Sequence, residues 1–247
     1  MMNSRNSIQN SIPDDIALQI ASSLEVMDVC SLGSCSRFWK ELCGSDCVWE
    51  VLCKDRWPTI AWDQKSDRKM DSNSKGWREL YIFKHNEMAG KAGLIHDFVE
   101  RALAYESIEV GNYLKAIELL NSLHFGFKDV EMFLLKPKLH VLLNLVGLHY
   151  CIICLGVPVE YVVEALNQSQ ISERQVCVQW WKLGRWFYGF RLRDELHSRS
   201  VTLGDLVAYN EEVLGVLHRG AIHEVIRVQI SIAKPMHSSW SQQVAQV

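Results

Sequence analysis

Thiols, and aromatics set among cations, are the side chains in this sequence whose spacing could do chemistry. Cys151 and Cys154 have the CxxC spacing of a zinc knuckle or a redox pair, and Cys43, Cys47 and Cys53 crowd together. Nine histidines are available elsewhere as further ligands. A zinc site, however, pairs one such knuckle with a second across a loop. Here the CxxC lies inside an apolar helical pattern, where cysteine behaves as a small buried hydrophobe. His149 stands close to Cys151, but nothing selects one cysteine as a nucleophile. The stretch His223 to Arg227 opens like a zinc-protease helix, yet Arg227 occupies the place of the second histidine ligand. Phosphate-cradling glycine loops and a GxSxG serine elbow are also missing. The reading is a chain with no catalytic residue, no metal and no cofactor. A cysteine- or metal-dependent intracellular enzyme stands as the alternative.

The second feature runs from Trp180 to Phe190 as WWKLGRWFYGF, six aromatics interleaved with Lys182 and Arg185, with Arg191 and Arg193 following. Aromatics stacked among cations hold single-stranded nucleic acid, and they also make protein-binding hot spots. The stretch reads as a helix, with Trp180, Leu183 and Phe187 on the core side. Gly184 and Gly189 break it and turn the remaining rings outward. A surface for a protein target, built on Trp181, Arg185, Trp186, Tyr188 and Arg191, is the functional reading.

The elements that must carry these residues read as helical. The net charge of −3 is too small to steer the chain to nucleic acid or to an anionic membrane. Residues 139–157 form an uncharged run long enough to be weighed as a membrane span. His140, Asn144 and His149 point to different sides of that helix, so it reads as the buried centre of a domain. Tyr113, Ile117 and Leu120 mark another helix. Ser172 with Gln175, and Thr202 with Asp205, form capping-box patterns before two more, the second ending at Gly220. Residues 226–233 alternate like a strand but have no evident partner, and strand against helix stays open there. Gly90 and Gly93 mark a boundary. The first eleven residues carry no secretory core, so free thiols in a reduced compartment, the cytoplasm and/or nucleus, are the expectation.

The front of the chain is the most patterned. Ile12-Pro13 precedes Asp14 and Asp15, whose charges suit a helix start. Ile16, Ile20 and Leu24 follow at four-residue intervals as one apolar stripe. Asp28 reads as the cap of a second short helix carrying Val29 and Leu32, and Ser36 as the cap of a third carrying Trp39 and Leu42. Asp46 then starts a fourth with Val48 and Trp49.

This stretch resembles the F-box motif without a gap from Ile12 to Trp49. The Ile12-Pro13 opening, the Asp28-Val29 pair, Leu32, Ser36-Arg37-Phe38-Trp39 and Ser45-Asp46-Cys47-Val48-Trp49 carry the match. Its continuation through Arg56-Trp57-Pro58 looks like plant F-box proteins. Ile12 replaces the commoner leucine, Ala17 a larger apolar residue, and Ser23 an aromatic. The resemblance implies that Ile12, Pro13, Ile16, Ile20, Leu24, Val29, Leu32, Trp39, Leu42, Val48 and Trp49 dock an Skp-type adaptor. Through it a cullin and a ubiquitin ligase are reached. No kelch, leucine-rich or WD40 period follows to name the protein substrate. The expectation is therefore an all-α chain, an F-box module followed by a compact helical domain. Residues 1–11 are a flexible start, 12–58 the F-box, 59–90 a linker and connecting helix. Residues 91–235 are a substrate- or partner-binding domain, and 236–247 a mobile tail. Its role is that of a substrate receptor in an Skp–cullin–F-box ligase, or of an F-box protein acting outside one.

Overall fold

The computed structural model describes residues 12–58, 76–209 and 211–233. The expected flexible start, the polar linker at 63–76 save its last residue, and the expected tail lie outside the described residues. The chain separates into two units, residues 1–90 and 91–247.

In the first unit α1 spans Asp14–Ser22, α2 Val26–Cys35, α3 Arg37–Cys43 and α4 Asp46–Arg56. Pro13 is the N-cap of α1, its carbonyl accepting from the Ala17 N–H at 3.0 Å, and Asp14 and Asp15 lie in the first turn. The Ser36 hydroxyl caps α3 by accepting from the Trp39 N–H at 3.3 Å, as expected. Asp28 does not cap α2. Glu25 takes the N-cap position, and Asp28 sits inside the first turn. A fifth helix, α5, runs over Trp77–Ala102. Its first N–H, at Trp77, donates to the Asp46 carboxylate at 3.0 Å. The division between the two units falls at Gly90, where a boundary was read, but it lies inside a continuous helix and not at a break in one. One glycine costs a helix only about 1 kcal/mol, which a 26-residue helix can absorb.

The second unit corrects the all-α expectation. It contains an antiparallel four-stranded sheet and a two-stranded hairpin. After α5 come β1 (Ser107–Glu109), α6 (Val110–Ser122), α7 (Phe127–Phe133), α8 (Val141–Ile153) and α9 (Val159–Gln168). Next are β2 (Gln175–Lys182), β3 (Trp186–Phe187), β4 (Phe190–Arg191) and β5 (Glu195–Thr202). The described chain closes with α10 (Leu203–Tyr209), α11 (Glu211–Arg219) and β6 (Val225–Ile232). The large sheet has the order β1-β6-β2-β5. Residues 226–232 are thus strand, and their partners are remote: Gln229 pairs with Glu109 on one side and Gln179 on the other.

The helix expected after Ser172 is β2. Val176 and Trp180 stand four apart, which fits a helix face as well as a strand face. The residue between them, Val178, decides it: all three are buried on one side of the sheet, at a spacing of two. They meet Val228 and Ile230 of β6 and pack toward α8.

Helix α8 is the centre of this unit. Every residue from Val141 to Cys151 is buried. Its polar members are hydrogen-bonded, His149 through one ring nitrogen only. Asn144 Nδ2 donates to the Leu134 carbonyl at 2.7 Å, and Asn144 Oδ1 accepts from Arg174. His149 Nδ1 meets the Tyr113 hydroxyl at 2.8 Å, and the His140 ring caps the helix through the Leu142 N–H at 3.2 Å. A Cβ on Gly147 would press Val130 and Leu134, so glycine here lets α7 approach closely. Among the described residues no helix is long and apolar enough to cross a membrane.

Candidate partner-docking surfaces

The first surface is the outer face of α1. This helix packs against α3 and α4 through Ala17 and Ala21, both fully buried. With the small residues turned inward, the large ones face water: Ile16 is 44% and Ile20 41% exposed. Ile12, just before the helix, and Met27 on α2 are exposed as well. Behind this face the unit has its own core. Trp49 is buried, and its Nε1 donates to the Cys43 carbonyl at 2.8 Å. Tyr81 of α5 makes edge contact with Trp49 at 5.4 Å, and its hydroxyl accepts from Arg56 Nη1 at 2.8 Å. The guanidinium of Arg56 also lies over the Trp57 ring at 4.5 Å. The isoleucines are therefore outward because the interior is already filled, and not because the unit is loosely packed.

The second surface is the hairpin of β3 and β4. Its two-residue turn, Tyr188-Gly189, has φ of +46° and +81°. Two consecutive positive φ values are what a type I′ hairpin turn requires, and glycine adopts one of them without strain. At the base, Gly184 passes so close to the opposite strand that a Cβ would collide with the carbonyl oxygens of Leu192 and Arg193. The Gly184 N–H donates to the Asp194 carboxylate at 2.9 Å, which also accepts from Arg191 at 2.7 Å. These two hydrogen bonds hold the Asp194 carboxyl below its ordinary range, the backbone one contributing most. The arm carries its apolar side chains into solvent: Trp186 is 74%, Tyr188 88% and Phe190 78% exposed. Phe187 and Leu192 are exposed beside them.

Of the chemistry weighed in the sequence, the structure supports little. Cys151 is buried in α8, and desolvation pushes its thiol up to about 12; burial raises Cys53 to about 11. Both thiols are protonated, hence poor nucleophiles, near neutrality. Cys154 is the C-cap of α8 and exposed, so the CxxC pair does not face one site. His223 lies in the turn before β6 with φ of +53°, so no metalloprotease helix exists there. Among the described residues no group of three or more His, Cys, Asp or Glu is arranged to hold a metal ion.

The F-box-like family profile matches residues 9–55. Residues 9–55 are an F-box-like domain. No curated protein and no solved structure matches the chain. The match covers about one fifth of the sequence, all of it within the first unit. F-box-like domains are adaptor-binding modules of ubiquitin ligases, and that much of the function follows for this module.

The residues expected to dock the adaptor fall into three layers of the F-box-like module. Ile12, Pro13, Ile16 and Ile20 are exposed, while Leu24, Leu32, Trp39 and Leu42 are half-buried. Val29, Val48 and Trp49 are buried, which makes them the module's own core and leaves them no surface to offer a partner. Met27 is not in the expected set; at 74% exposure it stands out furthest of the module's large apolar side chains among the described residues.

The expected target-binding residues also divide. Trp186, Tyr188 and Arg185 share the arm. Arg191 is engaged by Asp194, and Trp181 lies on β2, with the Arg227 guanidinium 5.0 Å from its ring. Leu183 and Phe187, read as core, are exposed, because their spacing of three and four matters only in a helix. Trp180 is core, as expected. Phe190 was read as a ring outside the core face but not placed in the target surface, and only the hairpin register sets it opposite Phe187.

Proposed function

We propose that this chain is a non-catalytic substrate-receptor subunit of an Skp–cullin–F-box ubiquitin ligase. The carrying observation is that α1 of the F-box-like domain turns Ala17 and Ala21 inward and leaves Ile16 and Ile20 in water. Large apolar side chains beside a filled core are the free half of an interface. At roughly 1.5–3 kcal/mol for each fully buried side chain, Ile12, Ile16, Ile20 and Met27 with the half-buried Leu24 supply enough to offset the ordering cost of association. On this reading the adaptor completes the apolar face and links the chain to a cullin, and the second unit holds the protein to be ubiquitinated.

The aromatic arm is the surface assigned to that target. Exposed Trp and Tyr side chains flanked by arginine have the composition of binding hot spots, and this arm presents them on a turn braced by Gly184 and Asp194. No residue of either unit is given a catalytic role. Burial raises the Cys53 and Cys151 thiols, so neither of those two is an activated nucleophile.

The test is binding of a purified Skp-type adaptor. Ile20→Asp together with Pro13→Ala should abolish it, with the melting temperature of the second unit unchanged. Adaptor binding retained by that double variant would sink the assignment of the face.

A further inference from the structure

The sheet of the second unit ends in an open edge. Strand β5 is paired along all eight residues with β2 and forms the end of the order β1-β6-β2-β5. No hydrogen bond from a described residue reaches the outer backbone of Glu195–Thr202. Among the described residues, alternate N–H and C=O groups of this strand therefore face outward without a strand partner. Open edges invite pairing with another chain, and proteins blunt them with short strands, proline, bulges or covering elements. The opposite edge is short: β1 has three residues and passes directly into α6. Among the described residues edge β5 has none of these, and only the charges of Glu195 and Arg199 guard it. It is regular, free of proline and flanked by exposed side chains.

Its surroundings select a partner by charge. From Lys182 to Arg199 there are five basic side chains (Lys182, Arg185, Arg191, Arg193, Arg199) and two acidic ones, Asp194 and Glu195. The sign is opposite to that of the whole chain, whose net charge is −3. Arg191 and Asp194 engage one another, which leaves four basic side chains against one acidic. The two faces of the strand differ as well. Leu196, Ser198 and Ser200 point to the open face, level with Trp181, Gln179 and Cys177. His197 and Arg199 point to the other, level with Trp180 and Val178.

We infer that β5 takes up an extended, acidic segment of a partner protein as a fifth strand. The segment alternates acidic residues, which meet Arg199 and His197, with apolar ones, which meet Leu196 on the open face. Backbone hydrogen bonds supply the affinity and the alternate side chains the selectivity. The inference rests on the reading of the second unit as target-binding and names the binding mode and the charge of the target.

The test uses the purified full chain and a fluorescent nine-residue peptide alternating glutamate and valine, followed by polarisation. The glutamate peptide should bind, and its lysine–valine analogue should bind at least tenfold more weakly. Methylating the backbone nitrogens of one alternate set should abolish binding, and methylating the other set should leave it within about twofold. Arg193→Glu with Arg199→Glu should weaken binding at least tenfold while the melting temperature stays that of wild type. Equal effects of the two methylated sets, equal binding of the lysine analogue, or no binding at millimolar peptide each overturn the inference. So does a peptide-free dimer that the double arginine variant dissolves, since β5 would then pair with a second copy. The assay needs neither adaptor nor ligase, so its failure leaves the receptor reading standing. Loss of adaptor binding leaves the peptide result standing.

Discussion

Helix α8 and the aromatic arm are both rich in large apolar side chains, and they end in opposite places. From Val141 to Cys151 every residue of α8 is buried; from Trp186 to Phe190 every residue of the arm is exposed. Hydrophobic composition does not separate them. Treatment of the polar groups does. In α8 the Asn144 amide, the His149 ring and the Gly147 gap each fit a specific neighbour. Burial of a polar group is tolerated when it is hydrogen-bonded. In the arm the strand pair is two residues long on each side, its braces lie at the base, and its rings are exposed among the described residues. A short hairpin has too little backbone and apolar area to build a core, so its rings remain available to something else.

Substitution in α8 should give the largest effect. Leu143→Asp places a charge where the side chain has no access to water, at a cost of several kcal/mol, comparable with the stability of a whole domain. The second unit should become protease-sensitive or insoluble, as limited proteolysis will read directly. A soluble, protease-resistant variant would break the contrast between the two stretches.

A smaller effect comes from pH. Burial, with His218 nearby, lowers His149 from 6.5 to about 4. The unfolded chain then binds more protons than the folded one between those values, so stability rises with pH across the window. It is fully present above about pH 6.5 and lost as pH falls through 4, by up to roughly 3 kcal/mol. Denaturant titrations of wild type and His149→Gln should show the slope in the first and a flattened one in the second.

The smallest effect is expected in the arm. Trp186→Ala and Phe190→Ser should each change stability by less than about 0.5 kcal/mol, because exposed side chains lose little when truncated. Target capture should fall all the same. A drop of several degrees in melting temperature for either variant would mean that the arm belongs to the core.

The sequence announced these parts unequally, for physical reasons. The F-box-like module was legible because its caps, spacings and tryptophans fall within a short span and depend on near neighbours. Burial of α8 was legible from composition and from its dispersed polar residues. Strand β2 was not. Val176 and Trp180 satisfy both periods, and Ser172 imitates a helix cap. Strand β5 is polar on both faces except at Leu196 and Val201, so it carries no periodic signal at all. For β6 the alternation was visible, but the partners that stabilise it, Ser107 and Cys177, lie far back along the chain. The outward face of α1 was half legible. Ile16 and Ile20 marked a stripe, but only packing reveals that the alanines take the inside.

That arrangement has a kinetic consequence. A helix of nine residues that buries two alanines has little holding it to its neighbours, so local opening of α1 lies at the low end of the unit's free-energy scale. Its amides should exchange with deuterium ahead of those of α4, where Val48, Trp49, Leu52 and Cys53 are buried. An adaptor closing over Ile16 and Ile20 contributes the missing contacts and should slow exchange in α1 far more than in α4. On the proposed docking, assembly finishes the folding of this helix, and the free and the adaptor-bound chain differ in how long α1 stays formed.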